Sequence, residues 1–445
     1  MKRIVILGAG TAGTIMANRL ARRYWGNPDA PDVSITVVDR DNEHVYQPGL
    51  LFVPFGTYRP EQILKPRGRF LPKRVRYVSS AIDHVAPEEN RVYLEDGDPL
   101  EYDVLVVATG SRVVPEETEG LTGPGWRDKM FDFYTPDGAA ALAEKLASWP
   151  GGRLVVNIVE LPIKCPVAPL EFAFLADAFF TKRGMRDKVD LVYVTPLDGA
   201  FTKPVASGAL SHLLADRNIR LVTEFSTGRV DGAAGELVSW DERVEPFDLL
   251  VTVPLHMGAE FVQRSPGLGD DMGFVLTDPA TLQAKVKPNI FALGDATNVP
   301  ASKAGSVAHF QAEILTENVV AHVAGRALPE TFDGHSNCFI ETGSGRGLLI
   351  DFNYDVEPLP GKFPFAFGPL SLLKETRLNH IGKLLFRWIY WHLLLPGRDL
   401  VGIPTRMSMK GKRRPQPAAA EPRQEREVEG AIPAARARTI EEDAP

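Results

Sequence analysis

Two sets of residues in this 445-residue chain pair side-chain type with a spacing that suits chemistry: Gly8-x-Gly10-x-x-Gly13, and the only two cysteines, Cys165 and Cys338. The glycines separate an apolar run over 2–7 from a helical pattern over 13–23. In that setting the first glycine permits a tight turn, the second lets a pyrophosphate approach the backbone, and the third lets helix and strand pack closely. The free N–H groups at the helix start then face the anion. Asp39 closes the strand-like run 33–38, 26 residues beyond Gly13, where a carboxylate can accept hydrogen bonds from a ribose diol. Together these predict a dinucleotide site. The cysteines can perform sulfur redox chemistry or serve as small buried hydrophobes, and their type alone leaves both open. Two thiols cannot form a disulfide framework, and their separation argues against a zinc site with closely paired ligands; no metal is expected.

The elements that must position these residues read as α/β. Strand-like runs occur at 102–108, 153–159, 189–195, 248–253 and 289–293, with helical patterns at 169–181 and 304–323. β-α-β patterning therefore occurs twice, with the second unit inserted in the first. The expected organisation is a dinucleotide-binding domain from 1–115 and 270–330, a second Rossmann-like domain over 116–269, a C-terminal region over 331–410, and a disordered tail over 411–445. The tail is Pro, Ala, Arg and Glu with little to bury. A net charge of −7 argues against nucleic acid as a partner. Lys2 and Arg3 lead straight into a short strand rather than a signal-type apolar run, so no secretory leader is expected. No window approaches the roughly 20 apolar residues that span a bilayer.

The second unit lacks what the first one has. After the strand at 153–159 come Glu160-Leu161-Pro162-Ile163-Lys164-Cys165-Pro166-Val167-Ala168-Pro169, with no glycine and three prolines. Proline stiffens the turn and removes N–H donors that a pyrophosphate needs. The fold is expected to persist while its nucleotide site is lost, and a cysteine stands where the glycine loop would be.

Ala108-Thr109-Gly110 and Gly294-Asp295-Ala296, taken with the N-terminal glycines, resemble the motif set of the two-dinucleotide-fold flavoproteins. That resemblance implies FAD, with Asp295 on its ribityl chain. Lys164-Cys165-Pro166-Val167-Ala168-Pro169 with Glu171, His44-Val45-Tyr46-Gln47-Pro48, Gly294–Lys303 and Cys338-Phe339 are similar to segments of sulfide:quinone oxidoreductases, a likeness that spans roughly residues 1–410. It implies a redox-active Cys165–Cys338 pair over one face of FAD, Glu171 as a proton-handling carboxylate, and Pro48, Thr109, Gly110 and Lys303 among the flavin contacts. Two departures stand out. Residues 1–164 contain no cysteine, so FAD is expected to be non-covalent. Residues 198–201 lack a histidine that some members carry, which leaves the proton relay open.

Residues 370–395 read as one apolar helical run, and Lys374–Arg414 holds ten Lys/Arg against only Glu375 and Asp399. A basic amphipathic segment with Trp and Tyr suits a membrane interface, or else a core or dimer helix. The family likeness implies docking on a lipid bilayer surface and a quinone near Phe339, Lys383 and Phe386, with Phe363, Phe365 and Phe367 as weaker candidates. The expected activity is oxidation of sulfide to polysulfide or zero-valent sulfur with electrons passed to membrane quinone, by a peripheral enzyme on the cytoplasmic face of the cell membrane. A homo-oligomer is left open. The competing readings are a sulfide dehydrogenase serving a cytochrome, a type II NADH:quinone dehydrogenase-like enzyme, and a flavin-binding sensor or sulfur-carrier scaffold.

Overall fold

The computed structural model describes residues 1–400 and 402–414. Two five-stranded parallel sheets form its centre. The first has the spatial order Ile290–Ala292, Val104–Val107, Lys2–Leu7, Val33–Asp39, Arg76–Ser79. The second has the order Met130–Phe131, Leu249–Val253, Gly152–Ile158, Val189–Val194, Ile219–Val222. The strands of the second sheet all lie between Val107 and Ile290 in sequence, so one α/β unit is nested in the other. Val104–Val107 and Leu249–Val253 are buried at every position, the continuous apolar signature of parallel strands covered on both faces.

Three helices matter for function. Thr11–Trp25 follows the first strand, and Ala168–Lys182 follows Gly152–Ile158. Gly305–Val323 follows the last strand of the first sheet and packs on Thr11–Trp25. Beyond them an antiparallel hairpin, Ser336–Gly343 with Arg346–Phe352, lies against Ala168–Lys182 and places Cys338 opposite Ile350.

The C-terminal region departs from expectation in two places. Residues 370–395 are not one helix: Leu370–Leu372 is a strand paired with Gly361–Phe363, and the helix runs Arg377–Ile389 before a π-helical turn, Tyr390–Leu394. Thr376 caps the helix by accepting from the Asn379 N–H at 3.0 Å, and the Asn379 side chain is spent on Ser371 and Lys374. A polar network therefore sets the helix start where the apolar pattern alone runs on. The tail also begins later than residue 411. Gly411 and Arg413 make backbone hydrogen bonds with Lys362 and Pro360, and the buried Lys412 ammonium pairs with Asp351. The rest of the expected tail, 415–445, lies outside the described residues.

Candidate functional site

The turn between Lys2–Leu7 and Thr11–Trp25 is built by steric exclusion. Gly8 has φ +96°, and a Cβ there would lie 2.5 Å from the Ala108 carbonyl oxygen. A Cβ on Gly13 would sit 1.8 Å from the Gly8 carbonyl oxygen. Gly10 differs, because its Cβ would meet nothing within 4 Å: it borders open space at the start of the helix. These are the separate roles of turn, close packing and access that a diphosphate cradle requires. Asp39 accepts from the Ala9 N–H at 2.6 Å and pairs with Arg67 at 3.1 Å, which fixes the carboxylate beside the turn.

Facing polar groups have no protein partner. Thr109 Oγ1 and Ser111 Oγ are buried and unbonded on either side of Gly110. Arg112–Val113 then pairs with His256–Met257, which brings in the fully buried His256. Its Nδ1 lies 2.9 Å from the Pro254 carbonyl, an acceptor, so Nδ1 carries the proton and Nε2 keeps a buried, unpartnered lone pair. Burial, with Lys164 nearby, pushes its pKa down to about 3 and keeps the ring neutral. Orphaned buried polar atoms are uncommon in folded proteins, and a cluster of them beside an open cradle fits a polar ligand such as FAD. Nothing in the sequence singled out His256 beyond its place just after a buried strand.

Gly294 (φ +68°) gives its N–H to Gln311 at 2.6 Å and starts the turn that carries Asp295. Burial raises the Asp295 pKa against the pull of Lys303 and Lys164. Lys303 donates to the carbonyls of Asp295 and Thr297 at 2.9 and 2.8 Å, so it braces this loop through its backbone. Pro48 lies in the short helix Gln47–Leu50 and is half-buried.

The cysteine loop is fastened to that same brace. Cys165 sits at φ +48°, a conformation rare for residues other than glycine, and its N–H donates to the Lys303 carbonyl at 2.7 Å. That N–H is therefore taken, and no glycine in the loop opens a second cradle. Both cysteines are free thiols: Cys338 lies in the main hydrophobic core, and the partly buried Cys165 packs against it. Burial and then Glu171 push the Cys165 thiol up to about 12, and burial followed by Cys165 pushes Cys338 higher still. Lys383 opposes both shifts.

Glu171 is fully buried. It accepts from Lys383 at 2.7 and 3.1 Å and from the Glu341 N–H at 2.6 Å. Lys383 gives its third hydrogen to the Phe339 carbonyl at 3.1 Å, so all three of its donors are used. Burial raises the Glu171 pKa and Lys383 pulls it back; Glu171 in turn holds Lys383 as an ammonium. Glu341, buried beside them, accepts from the partly exposed His380 at 2.8 Å.

Phe339 packs against Gly382, on the helix that carries Lys383, and Phe386 is half-buried on the main core. Phe363 lies in a separate small core with Leu349 and Leu372, while Phe365 and Phe367 are exposed. Phe339 packs against that small core, so Phe363 borders the Lys383 site through it, while the exposed Phe365 and Phe367 belong to neither core. The helix itself is inverted: its buried residues are Asn379 and Lys383, while Leu378, Ile381, Leu385 and Trp388 are 43–55% exposed.

Fold and cradle together define a two-dinucleotide-fold oxidoreductase of the FAD-dependent kind, and residues 2–159 match the family described as pyridine nucleotide-disulphide oxidoreductase. Within that class the similarity runs to the sulfide:quinone oxidoreductases. The chain is 28% identical over 400 residues to the mitochondrial enzyme of Dictyostelium discoideum, covering 89% of this chain and 86% of that one. It is 26% identical over 401 residues to the mitochondrial enzyme of Mus musculus, covering 88% and 86%. The crystal structure of the sulfide:quinone oxidoreductase of Aquifex aeolicus shares the fold, with a TM-score of 0.72, 20% identity, and coverage of 89% and 92%. The resemblance read from the motifs thus extends over most of the chain.

Proposed function

We propose that this chain oxidises sulfide and reduces a membrane quinone, with Cys165 and Cys338 as the sulfur-handling pair. The observation that carries the reading is the placement of the chain's only two thiols at one hydrophobic core, Cys338 inside it and Cys165 packed on it, near the Glu171–Lys383 ion pair. The net reaction removes two electrons and two protons from hydrogen sulfide and delivers both to quinone, leaving zero-valent sulfur. The residues that would hold FAD are Gly8, Gly10, Gly13, Asp39, Pro48, Thr109, Gly110, Gly294, Asp295 and Lys303; when bound, it supplies a two-electron carrier between the two half-reactions.

In the sulfur step, hydrosulfide attacks one sulfur of a Cys165–Cys338 bridge, which the two free thiols form by losing two electrons and two protons, the pair that quinone finally accepts. The old S–S bond breaks, a new one forms as a cysteine persulfide, and the other cysteine leaves as a thiolate. A thiolate is costly in this apolar setting, and the Lys383 ammonium is the group that eases it for both cysteines. Glu171 is the carboxylate placed to take up a proton as charge moves, since burial already raises its proton affinity. Glu341 and His380 lie between that pair and the surface.

Docking on lipid is supported by the inverted helix Arg377–Ile389. A helix that buries Lys383 and shows Leu378, Ile381, Leu385 and Trp388 to solvent suits an interface with acyl chains. Lys374, Arg377 and Arg387 suit anionic headgroups beside it. No helix among the described residues is long and apolar enough to cross a membrane, which fits a protein that lies on the bilayer.

Anaerobic titration of the purified protein tests the reading. Sulfide should bleach the flavin absorbance, and a quinone analogue should restore it. Cys165→Ser and Cys338→Ser should bind FAD yet stay yellow in sulfide; bleaching at the wild-type rate in both would sink the cysteine mechanism.

A further inference from the structure

Directly after the inverted helix, the chain turns inward and enters the dinucleotide cradle. Tyr390 is 1% exposed, and its hydroxyl lies 2.7 Å from Thr11 Oγ1 and 2.7 Å from His44 Nε2. Thr11 is the first residue of the cradle helix and follows Gly10, which offers no side-chain cap. The residues after Tyr390 cover the flank of the same helix. Asn18 donates to the Leu395 carbonyl at 3.1 Å, Arg19 to the Gly397 carbonyl at 3.3 Å and to Asp399 at 2.8 Å, and Arg22 to the Pro396 carbonyl.

We propose that the segment Tyr390–Asp399 is a working part of the FAD site, with Tyr390 as a positioning residue that sets the direction of the Thr11 hydroxyl at the diphosphate turn. This rests on the FAD reading of the glycine cradle. The argument is one of hydrogen-bond polarity. A tyrosine hydroxyl has one proton to give, and a neutral histidine has one N–H. Burial and then Arg67 push the His44 pKa down to about 3 against the Ala9 backbone, so its ring is neutral. Its Nδ1 makes no hydrogen bond, and Nε2 is the ring nitrogen that meets Tyr390. If His44 Nε2–H donates to Tyr390, Tyr390 donates to Thr11, and the Thr11 proton is free for an acceptor. In the opposite polarity Thr11 spends its proton on Tyr390 and turns lone pairs outward. A diphosphate is an acceptor only, so it selects the first arrangement, and Tyr390 relays the direction from His44 to Thr11. The segment that follows the proposed docking helix thereby completes the cofactor site.

The test is the rate of FAD release from full-length holoprotein after dilution, read as the rise of free-flavin fluorescence. Tyr390→Phe keeps the ring and removes the relay, and should release FAD about tenfold faster, the scale of one hydrogen bond to a charged group. Thr11→Val should do the same. Because both act through one chain, the double variant should be within about twofold of the faster single. Release from Tyr390→Phe at the wild-type rate, or single effects that multiply, overturns the proposal. So does a variant whose melting temperature falls while its FAD release is unchanged, since that marks a purely structural tyrosine. Should Tyr390→Phe fail to fold, Thr11→Ser and Thr11→Val decide: serine should match wild type, and a valine variant that also matches it refutes the relay. Wild-type protein with no flavin to release overturns the FAD reading itself, a different result from any of these.

Discussion

Replacing Lys383 by methionine isolates the part of the site with the highest electrostatic stakes. The ammonium satisfies two oxygens of the fully buried Glu171 and the Phe339 carbonyl. Methionine fills a similar volume but leaves Glu171 with only the Glu341 N–H. Removing one partner of a buried ion pair costs about 3–5 kcal/mol, because the other charge is stranded. For a chain of this size, with an unfolding entropy of about 0.9 kcal/mol/K, that corresponds to a fall in melting temperature of about 3–6 °C. The loss should depend on pH. Without the cation, only the Glu341 N–H opposes the burial that raises the Glu171 pKa above its ordinary value of 4.5. A carboxyl with a raised folded-state pKa destabilises little below the unfolded value, and its penalty grows as pH climbs through the folded value. The gap between wild type and Lys383→Met should therefore be small at about pH 5 and widest at about pH 8. Adding Glu171→Gln should recover part of the loss at pH 8, because no charge then remains to strand. Differential scanning calorimetry across that range, on FAD-loaded protein, reads all of this. A pH-independent gap, together with single and double variants whose effects simply add, would refute the ion-pair account.

The remaining expectations are direct. Gly10→Ala should fold normally, since its Cβ meets nothing, yet hold FAD weakly; Gly13→Ala, with its Cβ 1.8 Å from a carbonyl oxygen, should lose fold and flavin together, as purified yield and the flavin-to-protein absorbance ratio will show. Ile381→Glu with Trp388→Glu should abolish co-sedimentation with anionic vesicles while sulfide bleaching persists in solution. NADH should reduce the flavin far more slowly than sulfide does, because the loop at 160–169 has no glycine and the Cys165 N–H is already engaged; stopped-flow absorbance decides.

What the sequence disclosed follows the range of the interactions. The cradle was legible because each of its glycines answers a steric demand from neighbours within one βαβ unit or its adjoining strand. The strands Arg76–Ser79, Met130–Phe131 and Ile219–Val222 escaped notice, being too short to show a period. Cys165 and Cys338 stood out by type, but their place at one hydrophobic core depends on a helix packing against a hairpin far along the chain. Glu171 on its helix looked as fit for the surface as for catalysis, and only its partners Lys383 and Glu341, from two distant elements, show why it is buried. The inverted helix was ambiguous for a physical reason: an apolar stripe is equally at home against a core or a bilayer, and only the burial of Asn379 and Lys383 reveals which side faces inward. Tyr390 was hidden inside a run that reads as unbroken helix.

The inverted helix has a kinetic consequence. It is 13 residues long, about 20 Å at helical rise, and no thicker than about 10–12 Å with its side chains. One helix width therefore separates the outward stripe from the Lys383–Glu171 pair. If the stripe docks on lipid as proposed, a quinone held in the leaflet reaches this helix by lateral diffusion, without crossing water. Turnover on vesicles should then follow the mole fraction of quinone in the lipid rather than its bulk concentration. Diluting the surface with inert lipid at constant total quinone should slow the reaction, so the bilayer acts as the solvent in which the second substrate is measured.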